Sequence, residues 1–154
     1  MKKLVVYYSL TGNTKNLAEI IAKSLNCDIE EIIDKKNRKG FLGFLKAGRD
    51  AFFKRITEIE KIKKEPKNYD IVIIGTPVWA GNITPAIRTY LLNNKDKIKK
   101  FAFFTTSGTS VSDKIVKTLE DILNKKCAAF LNISRKELKS KNFQNKIENF
   151  LKLV

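Results

Sequence analysis

The amino-acid sequence predicts an α/β protein: a single domain over residues 1–154, doubly wound around a five-stranded parallel sheet in the order 2-1-3-4-5. Three observations carry that expectation. Short apolar runs alternate along the whole chain with segments of helical apolar spacing, the pattern of strand–helix–strand units. The runs at 4–8 and 71–74 are apolar without polar alternation, as central strands covered on both faces require. The first run ends in a loop of hydroxyls, an amide and a glycine that opens directly into a helix. Right-handed crossovers then make the sheet parallel.

Taken in order, residues 4–8 form the first strand, and a helix is expected from Asn13 to about Leu25. Its inward stripe is Leu17, Ile20, Ile21 and Leu25, with Lys15, Asn16, Glu19 and Lys23 outside. Residues 27–33 alternate irregularly between apolar and acidic side chains, which suits an edge strand. After a basic turn, residues 41–55 read as a second helix with Phe41, Phe44, Leu45, Phe52 and Ile56 near helical spacing. Two readings of that face stand side by side. Either it packs on the sheet, or with Lys39, Lys46, Arg49 and Lys54 it forms a partner or anionic-membrane surface.

A charged connector ends at Pro66, and the third strand, 69–75, is stopped by Gly75-Thr76-Pro77. Thr84 caps a helix with Pro85 in its first turn and Ile87, Tyr90 and Leu91 facing inward. Residues 101–106 form the fourth strand. Ser110 and Asp113 then read as a capping-box pair opening a helix through Ile115, Leu119, Ile122 and Leu123. Residues 127–133 are the fifth strand, and a fifth helix carries Phe143, Ile147, Phe150 and Leu151 on one face.

The chain has no histidine, which removes histidine general bases, Ser-His-Asp and Cys-His nucleophiles and most zinc and iron sites. Cys27 and Cys127 show no C-x-x-C spacing and read as buried thiols. The predicted order puts them at opposite sheet edges, too far apart to be bridged, in keeping with a cytoplasmic protein. No apolar run approaches the ~18 residues of a membrane span. The net charge is +15, and most of the basic residues are lysines scattered over predicted helices and loops. That distribution argues against nucleic acid as the main partner and for an acidic protein or small molecule.

In this strand order, strands one and three flank the switch point, and ligands bind outside the carboxyl ends of the strands there. Three loops meet at that edge. The first, Ser9, Leu10, Thr11, Gly12, Asn13 and Thr14, offers hydroxyls and the N–H groups of a helix start, a phosphate cradle that needs no lysine. The second, Thr76, Pro77, Val78, Trp79, Ala80, Gly81 and Asn82, suits a flat aromatic ring. The third is Thr106, Ser107, Gly108 and Thr109. Tyr8-Ser9 and Gly75-Thr76 stand where a phosphoacceptor receiver needs carboxylates. The first loop lacks the cysteine and arginine of a low-molecular-weight phosphatase. Neither G-x-x-x-x-G-K-[ST] nor G-x-G-x-x-G occurs.

On these residues the chain resembles the flavodoxin family. The run Tyr7-Tyr8-Ser9-Leu10-Thr11-Gly12-Asn13-Thr14 is similar to its S/T-x-T-G-x-T phosphate signature. The run Thr76-Pro77-Val78-Trp79-Ala80-Gly81 is similar to the second flavin loop of its smaller members. The resemblance implies bound FMN, with the phosphate in the first loop and the isoalloxazine between the second and third. It implies that Trp79 stacks on or flanks the ring, against a simpler role as a core plug. Gly81 would turn its peptide carbonyl toward flavin N5–H, against a simpler role as a turn, and Asn82 would reach the ring edge. Backbone groups of Thr106, Ser107 and Gly108 would meet the pyrimidine edge.

Two departures qualify the resemblance: the third loop has no aromatic to cover the second ring face, and the surface is basic where the best-known carriers are acidic. A basic surround predicts a less negative second-electron potential than theirs. The resulting expectation is an FMN electron carrier, monomer or dimer, working between redox partners with acidic docking surfaces. It has no catalytic side chain and no metal. An FMN-dependent NAD(P)H or quinone oxidoreductase, with its nicotinamide or quinone at the open ring face, is the alternative enzyme. A flavin-free basic interaction module is the alternative of another class.

Overall fold

The computed structural model describes every residue except 109, 110 and 141. The chain runs β1 (Lys3–Tyr7), α1 (Asn13–Leu25), β2 (Asp28–Glu31), α2 (Gly40–Phe52), a 3-10 turn (Pro66–Asn68), β3 (Ile71–Pro77) and α3 (Pro85–Asn94). It continues through β4 (Phe101–Ser107), α4 (Lys114–Leu123), β5 (Cys127–Ser134), α5 (Arg135–Ser140) and α6 (Gln144–Leu151). The strands form one five-stranded sheet in the order β2-β1-β3-β4-β5, and every pairing is parallel. Val5 stands level with Ile29 on one side and Ile73 on the other, which brings the carboxyl ends of β1 and β3 to the same edge.

Alternation along the central strands builds two cores. Leu4, Val6, Val72, Ile74, Phe101 and Phe103 pack under α3 and α4, while Val5, Tyr7, Ile71, Ile73 and Phe104 pack under α1 and α6. Each of these side chains is essentially removed from water, a contribution of about 1.5–3 kcal/mol for a large apolar residue. The continuous apolar runs read in the sequence follow from this burial on both faces.

Several expectations are corrected. In α1, Leu17 and Ile21 are buried but Ile20 stays outside. Ala18 and Ala22 take the inward places, where small side chains let the helix lie close to the sheet. Thr84 precedes Pro85 as expected, yet its side chain does not cap α3; its hydroxyl bonds to Thr76 Oγ1 instead (3.0 Å). The fourth helix begins at Lys114, and Asp113 makes no side-chain cap. The Lys114 N–H donates to Ser112 Oγ at 3.3 Å, and Ser110 lies outside the described residues. The closing segment is two helices rather than one, so the described residues hold six α-helices in place of five. Cys27 and Cys127 are half-buried free thiols at opposite sheet edges, and burial pushes Cys127 up to about 11.

The largest correction is α2, where the first of the two readings, an aromatic face packed on the sheet, is overturned. The stripe faces water: Phe41 is 75% exposed, Phe44 64%, Phe52 63% and Ile56 60%. The face that touches the protein is small, made of Gly43, Ala47 and Ala51 with the buried Asp50. A Cβ at Gly43 would meet the Arg38 carbonyl carbon at 2.5 Å, so this close approach admits only glycine. What holds α2 is polar. Arg38 Nε donates to Asp34 (2.5 Å) and Arg38 Nη1 to Asp50 (3.1 Å), with all three side chains almost fully buried.

Among the described residues, no helix is long and apolar enough to cross a membrane.

Candidate functional site

The first loop is shaped by Gly12, whose φ of 92° places it in the left-handed region and turns the chain into α1. The Gly12 N–H donates to Ser9 Oγ at 3.1 Å, closing the loop on itself. No side chain caps α1, and its regular hydrogen bonding starts with Asn16 N–H to the Gly12 carbonyl. The N–H groups of Asn13, Thr14 and Lys15 therefore have no acceptor among the described residues and stand at the positive end of the helix dipole. Thr14 is buried, and its Oγ1 meets Thr106 Oγ1 at 2.7 Å, which ties the first loop to the third.

The second loop ends in a tight turn. Trp79 and Asn82 exchange both backbone hydrogen bonds (3.0 and 2.9 Å), and the two residues between them have positive φ, 48° at Ala80 and 74° at Gly81. That is the type I′ geometry, which glycine adopts freely. At Ala80, a left-handed non-glycine residue costs of order 1–3 kcal/mol. Asn82 Nδ2 donates to the Ala80 carbonyl (3.2 Å). Thr76 is fully buried, donates to the Pro77 carbonyl (2.9 Å) and accepts from the Thr84 N–H (3.3 Å), so its hydroxyl belongs to the loop's framework.

Trp79 is held from two sides. Its ring meets Tyr8 edge-on, with centroids 5.6 Å apart, and the Arg38 guanidinium lies 5.9 Å from its centroid. Burial pushes the Tyr8 hydroxyl up to about 12, which keeps this neighbour uncharged. Asp34 and Asp50 hold Arg38 in place, so the ion-pair cluster that anchors α2 also fixes the tryptophan. For Arg38 itself desolvation works against the charge, and the hydrogen bonds and charges of Asp34 and Asp50 outweigh it.

The third loop continues from β4, where the Thr106 carbonyl accepts from the Val78 N–H (3.0 Å). Thr105 and Ser107 both donate to Asn132 Oδ1 on β5 (2.8 and 3.0 Å). Thr109 lies outside the described residues.

These loops enclose one cleft of about 290 Å³ at the carboxyl ends of β1, β3 and β4. Leu10, Thr11, Asn13 and Thr14 line it from the first loop, Pro77, Val78 and Trp79 from the second, and Thr106, Ser107 and Gly108 from the third. Ser9 and Gly12 shape the first loop without lining the cleft. Thr76 lies beneath it, and Ala80, Gly81 and Asn82 form a turn beyond its lining. Larger clefts lie elsewhere: one of about 390 Å³ along the edge strand β2 contains no aromatic ring and no helix start, and one of about 460 Å³ between the first loop and residues 31–39 is lined by Tyr8 but not by Trp79 or the start of α1.

The structure adds two residues to the lining, Phe44 from α2 and Arg135 from α5. Arg135 is the single ionisable side chain among the described lining residues. It stands first in α5, whose start is set by a capping box. Ser134 N–H and Oγ donate to Glu137 Oε2 (2.8 and 2.7 Å), and Glu137 N–H returns to Ser134 Oγ (3.3 Å). Lys146 also pairs with Glu137, and these contacts pull its carboxyl down to about 2. The Ser134-x-x-Glu137 spacing was the sequence signal for Arg135. No local signal marks Phe44.

The sequence model of the family described as flavodoxin matches residues 45–152, more than half of the chain. The chain belongs to the flavodoxin family. This flavodoxin-family chain is also similar in fold to a flavoprotein from Lactobacillus acidophilus crystallised with FMN. The TM-score is 0.74 at 23% identity, covering 90% of this chain and 97% of that one. The apo-form of the L. acidophilus flavoprotein, solved by NMR, matches with a TM-score of 0.66 at 24% identity, over 90% and 95% of the two chains. A flavodoxin, the WrbA-like protein from Agrobacterium tumefaciens, matches with 0.56 at 17%, over 98% and 97%. At these identities the likeness shows the fold.

Flavodoxins bind FMN, and the residues present fit that cofactor. Unpaired helix N–H groups and a cation suit a phosphate, while Trp79 and Phe44 supply aromatic walls for a ring. The described lining holds no carboxylate to oppose an anion.

Proposed function

We propose that this protein binds FMN in the three-loop cleft and passes electrons between redox partners. The observation that carries the reading is the convergence on one cleft of an uncapped helix start, Trp79 and a lone cation, at the switch point of the sheet. When bound, FMN supplies one- or two-electron transfer. The chain's own residues bind and orient. The N–H groups of Asn13, Thr14 and Lys15 receive the phosphate, Thr11 lends its hydroxyl, and Arg135 adds a charge-assisted contact. Trp79, fixed between Tyr8 and Arg38, flanks the ring without having to be ordered on binding. Backbone groups of Thr106 to Gly108 meet the ring edge, and Gly81 lies near enough in sequence to present its peptide at the rim. Among the described residues the lining offers no carboxylate or other base for proton abstraction, which favours a carrier.

The partners we propose carry acidic docking surfaces that match a net charge of +15. The location we propose is cytoplasmic, where free thiols such as Cys27 and Cys127 persist. One observation favours a second reading. No aromatic side chain stands in the described part of the third loop, and an open ring face there suits an FMN-dependent NAD(P)H or quinone oxidoreductase.

Titrating purified protein with FMN while following flavin fluorescence tests the binding; unquenched emission at micromolar protein rejects both readings. Stepwise reduction with dithionite, and separately with NADPH, then divides them. A complex inert to NADPH supports the carrier, and direct bleaching by NADPH supports the oxidoreductase.

A further inference from the structure

Seven of the twelve exposed large apolar side chains among the described residues fall between Phe41 and Ile56, all on α2 or its C-terminal flank. At 100° per residue, the six on 41–53 span an arc of about 180°, and the small anchoring face lies opposite. Charge on this segment is one-sided. Lys36, Lys39, Lys46, Arg49, Lys54 and Arg55 are exposed, whereas the single acid between residues 35 and 57, Asp50, is buried and paired with Arg38, Arg49 and Arg55. Arg55 also lies over the Phe53 ring, 5.6 Å from its centroid, so cation and apolar surface form one patch.

We infer that α2 and its flanks dock the protein on an anionic lipid bilayer, with Phe and Leu side chains entering the headgroup boundary and the lysines and arginines meeting lipid phosphates. Aromatic and leucine anchors on one arc of a helix with exposed cations from Lys36 to Arg55 are the composition of an interfacial helix, in which burial and charge act together. The exposed Lys39 and Lys46 have stems long enough to lie along an apolar surface while their ammonium groups reach the headgroups. A second copy of this chain is disfavoured as the occupant, because a self-complementary contact would set these same cations against each other on molecules that each carry +15. A transient redox protein buries little area in a mostly polar contact, and it leaves seven bare apolar side chains unexplained. The patch borders the cleft, since Phe44 belongs to both. A docked protein therefore holds its cleft mouth at the bilayer surface. The inference stands on α2 alone and does not require the cofactor.

Flotation of the full chain with phosphatidylglycerol/phosphatidylcholine vesicles, against phosphatidylcholine vesicles alone, tests it. Three variants separate the terms. Phe41→Ser/Leu42→Ser/Phe52→Ser keeps every charge and alters only side chains more than 60% exposed. Lys39→Glu/Lys46→Glu/Lys54→Glu removes the local cations. Lys67→Glu/Lys99→Glu/Lys100→Glu makes the same charge change at the opposite end of the sheet, before β3 and β4. The expected result is flotation with the anionic vesicles only. The first two variants weaken it about tenfold or more, the third far less, and urea midpoints stay unchanged. Flotation that the serine variant leaves intact would reduce the binding to general charge attraction and overturn the inference. So would equal losses from both glutamate variants, no flotation with phosphatidylglycerol, or a dimer in sedimentation that the serine changes dissolve.

Discussion

Arg135 shows how a single side chain sets the selectivity of the proposed site. It is the one ionisable group among the described residues that line the cleft, and the neutral hydroxyls and N–H groups around it would receive a phosphate without it. Its contribution is thus an increment specific to charge. Removing a charge-assisted contact at an exposed position costs about 1 kcal/mol, or roughly fivefold in affinity. Arg135→Gln is expected to weaken FMN binding by about that factor and to leave riboflavin binding unchanged, as read by fluorescence titration with each ligand. Equal losses for both would mean that Arg135 supports the fold of the cleft rather than the phosphate.

At the scale of elements, α2 depends on a buried cluster in place of an apolar face. Arg38→Met leaves Asp34 buried without its cation and Asp50 with only the half-exposed Arg49 and Arg55 (3.4 and 3.5 Å), a change that costs about 3 kcal/mol. Urea unfolding is expected to show that loss, and Trp79 emission to shift to the red as its guanidinium neighbour disappears. Acid probes the same cluster. Burial opposes the Asp50 charge, but the hydrogen bond and charge of Arg38 outweigh it, so its folded pKa lies below the usual ~3.9. The stabilisation is complete above that unfolded value and is lost as pH falls through the lower folded one. Trp79 emission is therefore expected to stay constant from neutrality to about pH 4 and to change below it, whereas Arg38→Met should be flat across that interval. These contacts also explain what the sequence could convey. Strands such as Ile71–Pro77 were legible because burial on both faces writes an unbroken apolar run. The three loops were legible because they follow those runs directly. The stripe Phe41, Phe44, Leu45 and Phe52 was legible as helical spacing, but spacing does not say which side of a helix meets the protein. That was decided by Gly43 against the Arg38 backbone and by Asp50 reaching Arg38, contacts made by the fold. Phe44 at the cleft was hidden for the same reason.

Across the whole molecule, 31 basic residues face 16 acidic ones, and ion pairs such as Lys35–Glu58, Lys97–Glu65 and Lys117–Asp121 are exposed contacts worth little each. The excess positive charge acts on two quantities in opposite senses. It repels itself in the compact state and lowers stability, while it favours any added negative charge in the cleft, where Arg135 already stands. A unit charge about 12 Å from a reduced flavin contributes roughly 0.3 kcal/mol in water before screening, so the sum over many lysines matters only while the Debye length is long. That length falls from about 30 Å at 0.01 M salt to about 8 Å at 0.15 M. Raising sodium chloride across this range is expected to raise the urea midpoint of the apo-protein. It is also expected to move the potential for the last electron of the FMN complex to more negative values. An acidic flavodoxin should show the opposite shift in potential, because screening there removes a repulsion. Potentiometry of the two proteins at both salt concentrations makes the comparison, and parallel shifts would show that local contacts, rather than the net charge, set the potential.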